Sequence, residues 1–218
     1  MQGFGTNSKI LKELVISVKP TSIKYFVKSN KTFAEKKVEF MTSYAPEMLL
    51  KKNLNLGFLS VSDEHFGQRV DIESESVYAK TSDLILNIDD YSRSKWYQAM
   101  LAKLHKNKQV VYKGRSITTG AELDVFFKKY VVALVNDIKV NGYQENKAPD
   151  VGTLRIDKDG ELCKSANGRH RFAIARALGV ESIPLRVVAA HKEWMESNSI
   201  TTYPQLVSAV TELSKKYV

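Results

Sequence analysis

Gly168-Arg169-His170-Arg171 puts a glycine directly ahead of three cationic or hydrogen-bonding side chains. These residues follow the short run Glu161-Leu162-Cys163-Lys164-Ser165 and open a small-residue stretch from Phe172 to Leu178, closed by Gly179. The pattern predicts a strand, a turn and a helix from about Gly168 to Leu178. The first turn of a helix leaves several N–H groups without internal partners and carries the positive end of the dipole. That makes it a ready site for an anion such as phosphate. Glycine lets the backbone approach a ligand closely, having no Cβ. Cations at a helix N-terminus are mildly unfavourable, so three together need a bound anion, an acidic neighbour or solvent. The expected phosphate cradle is therefore Asn167, Gly168, Arg169, His170 and Arg171, with His170 also a candidate acid–base group. The plain alternative is a surface helix that merely begins with these residues.

Other chemistry-bearing residues are more scattered. Asp89-Asp90 follows the apolar run Leu84–Ile88 and could hold Mg²⁺, which prefers carboxylate and water ligands; capping a helix is the competing role. Glu122 and Asp124 stand at the start of a long helical pattern, where one could serve as a base and where the dipole favours acids in any case. His191 and Trp194 could close over a base by stacking or simply complete a core. Cys163 is the single cysteine, so it can form no internal disulfide. Its strand position suits a small buried hydrophobe without a catalytic role.

Several elements must position these groups. Leu14–Val18 reads as a strand stopped by Pro20, and Thr32–Leu50 as a helical stretch interrupted by Pro46. Leu84–Ile88 reads as a buried strand. Ser92 or Ser94 then caps a helix through Trp96, Tyr97, Met100, Leu101 and Leu104, whose spacing marks a core-facing stripe. Gln109–Tyr112 is a short strand. The longest helix runs from about Thr119 to Val140, with Asn141-Gly142 as its stop. Asp159-Gly160 between two short alternating runs predicts a hairpin over residues 153–165. Ile183–Val188 is the next strand, and Tyr203–Tyr217 a final amphipathic helix. The fold class is mixed α/β (α+β), with residues 1–75 as an N-terminal extension and 76–218 as the main domain.

The formal net charge of +9 favours an anionic partner. Residues 1–62 hold ten Lys against four Glu, and 63–75 hold five acids against Arg69. The excess is dispersed, with no run that reads as a nucleic-acid arm. Any DNA binding is expected to be weak and non-specific. No stretch is long and apolar enough to span a membrane, and the N-terminus lacks a signal-peptide pattern. A cytoplasmic protein of bacterial type is expected.

The segment Asn167-Gly168-Arg169-His170-Arg171, its small-residue helix, Leu178-Gly179 and the strand Ile183-Pro184-Leu185-Arg186-Val187 resemble the ParB/sulfiredoxin superfamily. The resemblance covers about residues 120–190 and is most specific in the last forty. It implies a ParB/sulfiredoxin-like core binding a nucleotide such as ATP, ADP or CTP. Sulfiredoxins carry Gly-Cys-His-Arg, and Arg169 stands at the cysteine position, so the resemblance brings no sulfinic-acid reduction. Partitioning ParB proteins carry Gly-Glu-Arg-Arg. The ParB-like free serine kinases carry Asp-Gly-His-His-Arg, which aligns with residues 167–171, Asn167 replacing the acid. What the resemblance implies is Mg²⁺-dependent phosphotransfer to a small-molecule acceptor, or nucleotide hydrolysis. The alternative is a non-enzymatic nucleotide-gated or DNA-associated binding protein.

Overall fold

The structure is a computed structural model that describes residues 14–28, 56, 59–112, 114–144 and 151–218. The expected helical stretch Thr32–Leu50 lies outside the described residues. In chain order the elements begin with β1 (Val15–Val18), β2 (Tyr25–Lys28), β3 (Ser60–Val61), α1 (Asp63–Phe66) and β4 (Gln68–Asp71). Then come α2 (Ser76–Leu86), α3 (Lys95–Asn107), β5 (Val110–Tyr112) and β6 (Arg115–Ile117). A long helix follows as α4 (Gly120–Phe126), a π-helical turn (Phe127–Val132) and α5 (Ala133–Asn141). The last elements are β7 (Gly152–Ile156), β8 (Leu162–Lys164), α6 (Arg169–Ala177), β9 (Ile183–His191), α7 (Lys192–Ser197) and α8 (Tyr203–Ser214). The mixed α/β class is as expected.

The chain divides into two compact units. The first comprises Met1–Ile72, Glu145–Arg169 and Glu181–Val218. Its sheet has the order β1-β9-β7-β8-β2-β4, with β3 also on β9. β7 and β8 form the expected antiparallel hairpin, Arg155 opposite Cys163, turned by Gly160 at φ 80°. β9 runs parallel to β7, and a bulge between Leu154 and Arg155 shifts the register. Bulges re-aim side chains; here every residue of β9 from Val187 to His191 is buried. Among the described residues of the expected N-terminal extension, four strands, β1 to β4, belong to this unit's sheet. β1 pairs antiparallel with β9, and β2 pairs parallel with β8. A strand's partner is set by edges far away in sequence, so local alternation does not announce it.

The second unit comprises Glu73–Gln144 and His170–Val180. The run Leu84–Ile88 is not the expected strand: Leu84 to Leu86 end α2, and Ile88 begins a 3-10 stretch, Ile88–Arg93. Glu75 caps α2 by accepting from the N–H groups of Val77 and Tyr78. Its buried positions Val77, Thr81 and Leu84 recur at helical spacing, while Leu86 is 86% exposed. Periodicity over eleven residues outweighs a five-residue apolar run. Ser94 caps α3, its Oγ accepting from the Tyr97 N–H at 3.2 Å. The core joins Trp96, Tyr97, Met100 and Leu104 to Leu123, Phe126, Phe127, Val131 and Ile174. No helix among the described residues is long and apolar enough to cross a membrane.

Candidate functional site

Lys164 ends β8 almost fully buried, and its ammonium sets the conformation of the following loop. Nζ donates to the carbonyls of Thr153 at 3.1 Å and Ser165 at 2.6 Å, and to that of Asn167. An ammonium has three donors, and three backbone acceptors converge on this one. Beside it, the buried hydroxyls of Thr153 and Ser165 are 2.5 Å apart, and the Thr153 N–H donates to the Asn167 carbonyl at 3.3 Å. The loop is thereby tied to the start of β7 before it reaches Gly168.

Gly168 has φ 71°, and a Cβ there would lie 2.7 Å from Gly152 Cα and 3.3 Å from Gly152 N. Its glycine is therefore required by the close approach of two backbones, independent of any ligand. α6 then begins at Arg169, with no acidic residue in its first turn. Asn167 is exposed, while Arg169, His170 and Arg171 are half-buried. The Arg169 guanidinium sits 4.9 Å from the centre of the Phe26 ring, within the range of a cation–π contact.

His170 is engaged in the second unit. Its Nε2 lies 2.8 Å from the Tyr112 hydroxyl, and its ring stacks on Trp96 with centroids 5.4 Å apart. The Lys80 ammonium lies 4.9 Å over the same Trp96. These partners fix the imidazole plane, as any acid–base or phosphate-donating role would require.

The candidate bases are hydrogen-bonded within the second unit. Asp124 accepts from the Tyr97 hydroxyl at 2.8 Å and, more weakly, from that of Tyr91 at 3.5 Å. Burial first, then Asp124, pushes the Tyr97 phenol up to about 12. Glu122 closes a capping box with Thr119 and accepts from Thr118 N and Oγ1. Those bonds, Thr118 first, hold its carboxyl below the usual range although it is fully exposed. A general base works best with a pKa near the working pH, so Glu122 is displaced in the wrong direction. Asp89 and Asp90 are exposed on the 3-10 stretch, and Asp90 accepts from Ser92 Oγ at 2.5 Å. No group of three or more His, Cys, Asp or Glu able to hold a metal occurs among the described residues. Two exposed carboxylates are within what Mg²⁺ accepts beside water and phosphate oxygens.

His191 and Trp194 are buried. His191 Nδ1 accepts from the Glu193 N–H at 3.3 Å, capping α7, and its Nε2 lies 3.1 Å from Asp63. Trp194 covers the hairpin turn; its Nε1 would stand 2.9 Å from a Cβ at Gly160. Cys163 is fully buried; burial first, then Asp157, pushes its thiol far up. A thiol that stays protonated is a poor nucleophile. Native protein should give essentially no thiol titration with an aromatic disulfide reagent, and one equivalent after denaturation. Cys163→Ala should cost about 1 kcal/mol of stability, near the value for the small volume removed. Rapid labelling of the native protein would contradict this.

The sequence reading missed Lys164. Its signal was present: Leu162 and Lys164 share a face of β8 by alternation, so a core-facing Leu162 puts a cation in the core as well. Arg155 is a second such case, fully buried and donating to the carbonyls of His65 and Phe66 at the end of α1.

No protein-family model, curated protein or solved structure matches this chain.

Proposed function

We propose that this chain is a nucleotide-binding protein of the ParB/sulfiredoxin-like kind, cytoplasmic, with phosphates of ATP, ADP or CTP resting on the first turn of α6. The observation that carries the reading is that turn itself. It begins with Arg169, His170 and Arg171, has no acid of its own, and follows a loop fixed from beneath by Lys164. Basic and hydrogen-bonding side chains at the positive end of a helix dipole are the surroundings a phosphate favours. Phosphoryl transfer would further need a group to orient the nucleophile and charge to neutralise the phosphates. Glu122 and Asp124 are held in a capping box and in tyrosine hydrogen bonds. The non-enzymatic alternative, a nucleotide-gated binding protein, is therefore favoured over kinase or hydrolase chemistry.

Calorimetric titration with ATP, ADP, CTP and inorganic phosphate tests this reading. A binding nucleotide should lose about 1.5–3 kcal/mol of affinity in Arg171→Ala, the range for a hydrogen bond to a charged group. Arg171→Lys, which keeps the charge, should recover part of it. Circular dichroism identifies any loss due to unfolding. Equal affinity in folded wild type and folded Arg171→Ala would remove Arg171 from the site, and no binding by any of the four would remove the proposal.

A further inference from the structure

In the second unit, α4 and the π-helical turn pack on one face of the β5–β6 hairpin. Tyr112 stands opposite Arg115, and Val110 opposite Ile117. Alternation sets Arg115 and Ile117 on one face of β6 and Ser116 on the other. On that face the Tyr112 and Phe126 ring centroids are 5.2 Å apart, and Ile117 shares a core with Phe126. The Arg115 guanidinium lies 3.8 Å over the Tyr130 ring. A groove of about 350 Å³ lies at this junction. Its apolar surface includes Ile117, Val125 and Phe126, and its charged residues are Arg115, Glu122 and Lys129. Small-molecule sites are concavities of about 300–1,000 Å³ with apolar walls and a few placed polar groups. This groove falls at the small end of that range.

The polar groups specify the ligand's charge. Arg115 is exposed, but its guanidinium is held in place: Nη1 donates to the Tyr130 hydroxyl at 2.6 Å while the ring supports it. A side chain already fixed loses less freedom when a ligand binds. Nε and Nη2 make no hydrogen bond among the described residues. They are the parallel N–H pair that a carboxylate accepts bidentately. Lys129, next to Tyr130 in the π-helical turn, adds a second cation. The one acid of the lining, Glu122, is tied to Thr118 and Thr119 at the start of α4. It stands about two helical turns from Tyr130. The Arg115 end of the groove is therefore cationic, and an apolar stretch adjoins it.

We propose that this groove binds a small carboxylic acid with an aryl or short alkyl body. The carboxylate takes the Nε and Nη2 donors of Arg115, with Lys129 beside it, and the body rests on Ile117, Val125 and Phe126. The assignment does not depend on nucleotide binding at α6.

Calorimetric titration of the full chain with 4-phenylbutyrate tests this. Saturable binding is expected with a Kd below about 5 mM. Arg115→Met keeps the stem and removes the donors, so it should weaken binding roughly tenfold or more. Val125→Glu sets an acid on the apolar stretch and should weaken it comparably. Both positions are exposed, and far-UV circular dichroism verifies that each variant is folded. A further arm uses unaltered protein: 4-phenylbutylamine, the same body carrying an ammonium, should bind at least about tenfold more weakly. Three outcomes overturn the proposal. They are no saturation by about 5 mM phenylbutyrate, undiminished binding by folded Arg115→Met or folded Val125→Glu, or binding of the amine as tight as that of the acid.

Discussion

Replacing Lys164 with methionine is expected to lower stability by about 1–3 kcal/mol, because it removes the donor shared by three converging carbonyls, of which those of Thr153 and Asn167 each keep a backbone N–H. Methionine keeps most of the side chain's length, so the substitution isolates the ammonium from the apolar stem. Two effects oppose each other. Removing a buried charge relieves its desolvation, which on its own often makes an apolar replacement harmless. The acceptors, however, are the backbone oxygens of Thr153, Ser165 and Asn167, and these cannot be replaced by apolar groups. A buried acceptor left unsatisfied costs about 1–3 kcal/mol, and the three share one donor group, so their costs do not simply add. The lost ammonium donor dominates. Lys164→Arg should fail comparably, since a planar guanidinium cannot aim its donors as a compact ammonium does. Urea unfolding followed by tryptophan fluorescence would measure the change as a lower midpoint at constant slope. An unchanged midpoint in Lys164→Met would mean that the loop holds its shape without the ammonium. The same variant should weaken nucleotide binding under conditions where it stays folded, because the Asn167 carbonyl sits immediately before the turn proposed to cradle phosphate.

Much of the architecture was legible because it is local. Asp159-Gly160 specified the β7–β8 hairpin, Asn141-Gly142 the end of the long helix, and Ser94 the start of α3. Each is a backbone event decided by a few adjacent residues. What escaped depends on distant partners or on short elements. The three-residue strand β6 has no period to detect, and the sheet roles of β1 and β2 depend on β9 and β8, more than a hundred residues away. The run Leu84–Ile88 misled because a short apolar stretch has no period that separates strand from helix end. In the candidate site, the loop and helix start fell where the glycine and basic residues placed them. The reason for the glycine did not: Gly152 was invisible as its neighbour, since nothing in the sequence brings residues 152 and 168 together. Asp124 and Glu122 stand near a helix start as read, but their tyrosine and threonine partners come from residues that nothing in the sequence pattern singles out.

Gly168→Ala should be the most damaging single-methyl change in the described chain, with an expected loss of about 3 kcal/mol or more. Two penalties combine. A residue with a Cβ at φ 71° bears left-handed strain of roughly 1–2 kcal/mol. The new Cβ would also meet Gly152 Cα at 2.7 Å and Gly152 N at 3.3 Å. Those atoms belong to the first residue of β7, which is hydrogen-bonded into the sheet through β9, so the contact cannot be relieved by turning a flexible side chain. Either β7 or the loop must shift, and the Lys164 anchor resists the second. Overpacking of this kind costs about 1–3 kcal/mol on top of the strain. Gly179→Ala separates the two contributions. Gly179 has φ 66°, close to that of Gly168, but nothing lies within 4 Å of its Cβ position. It should lose only the strain, roughly 1 kcal/mol. The difference between the two midpoints in parallel urea titrations therefore reads the backbone contact alone. Equal losses at both positions would show that the loop yields freely at Gly152, and that the approach of the two glycines does not fix the turn on which α6 begins.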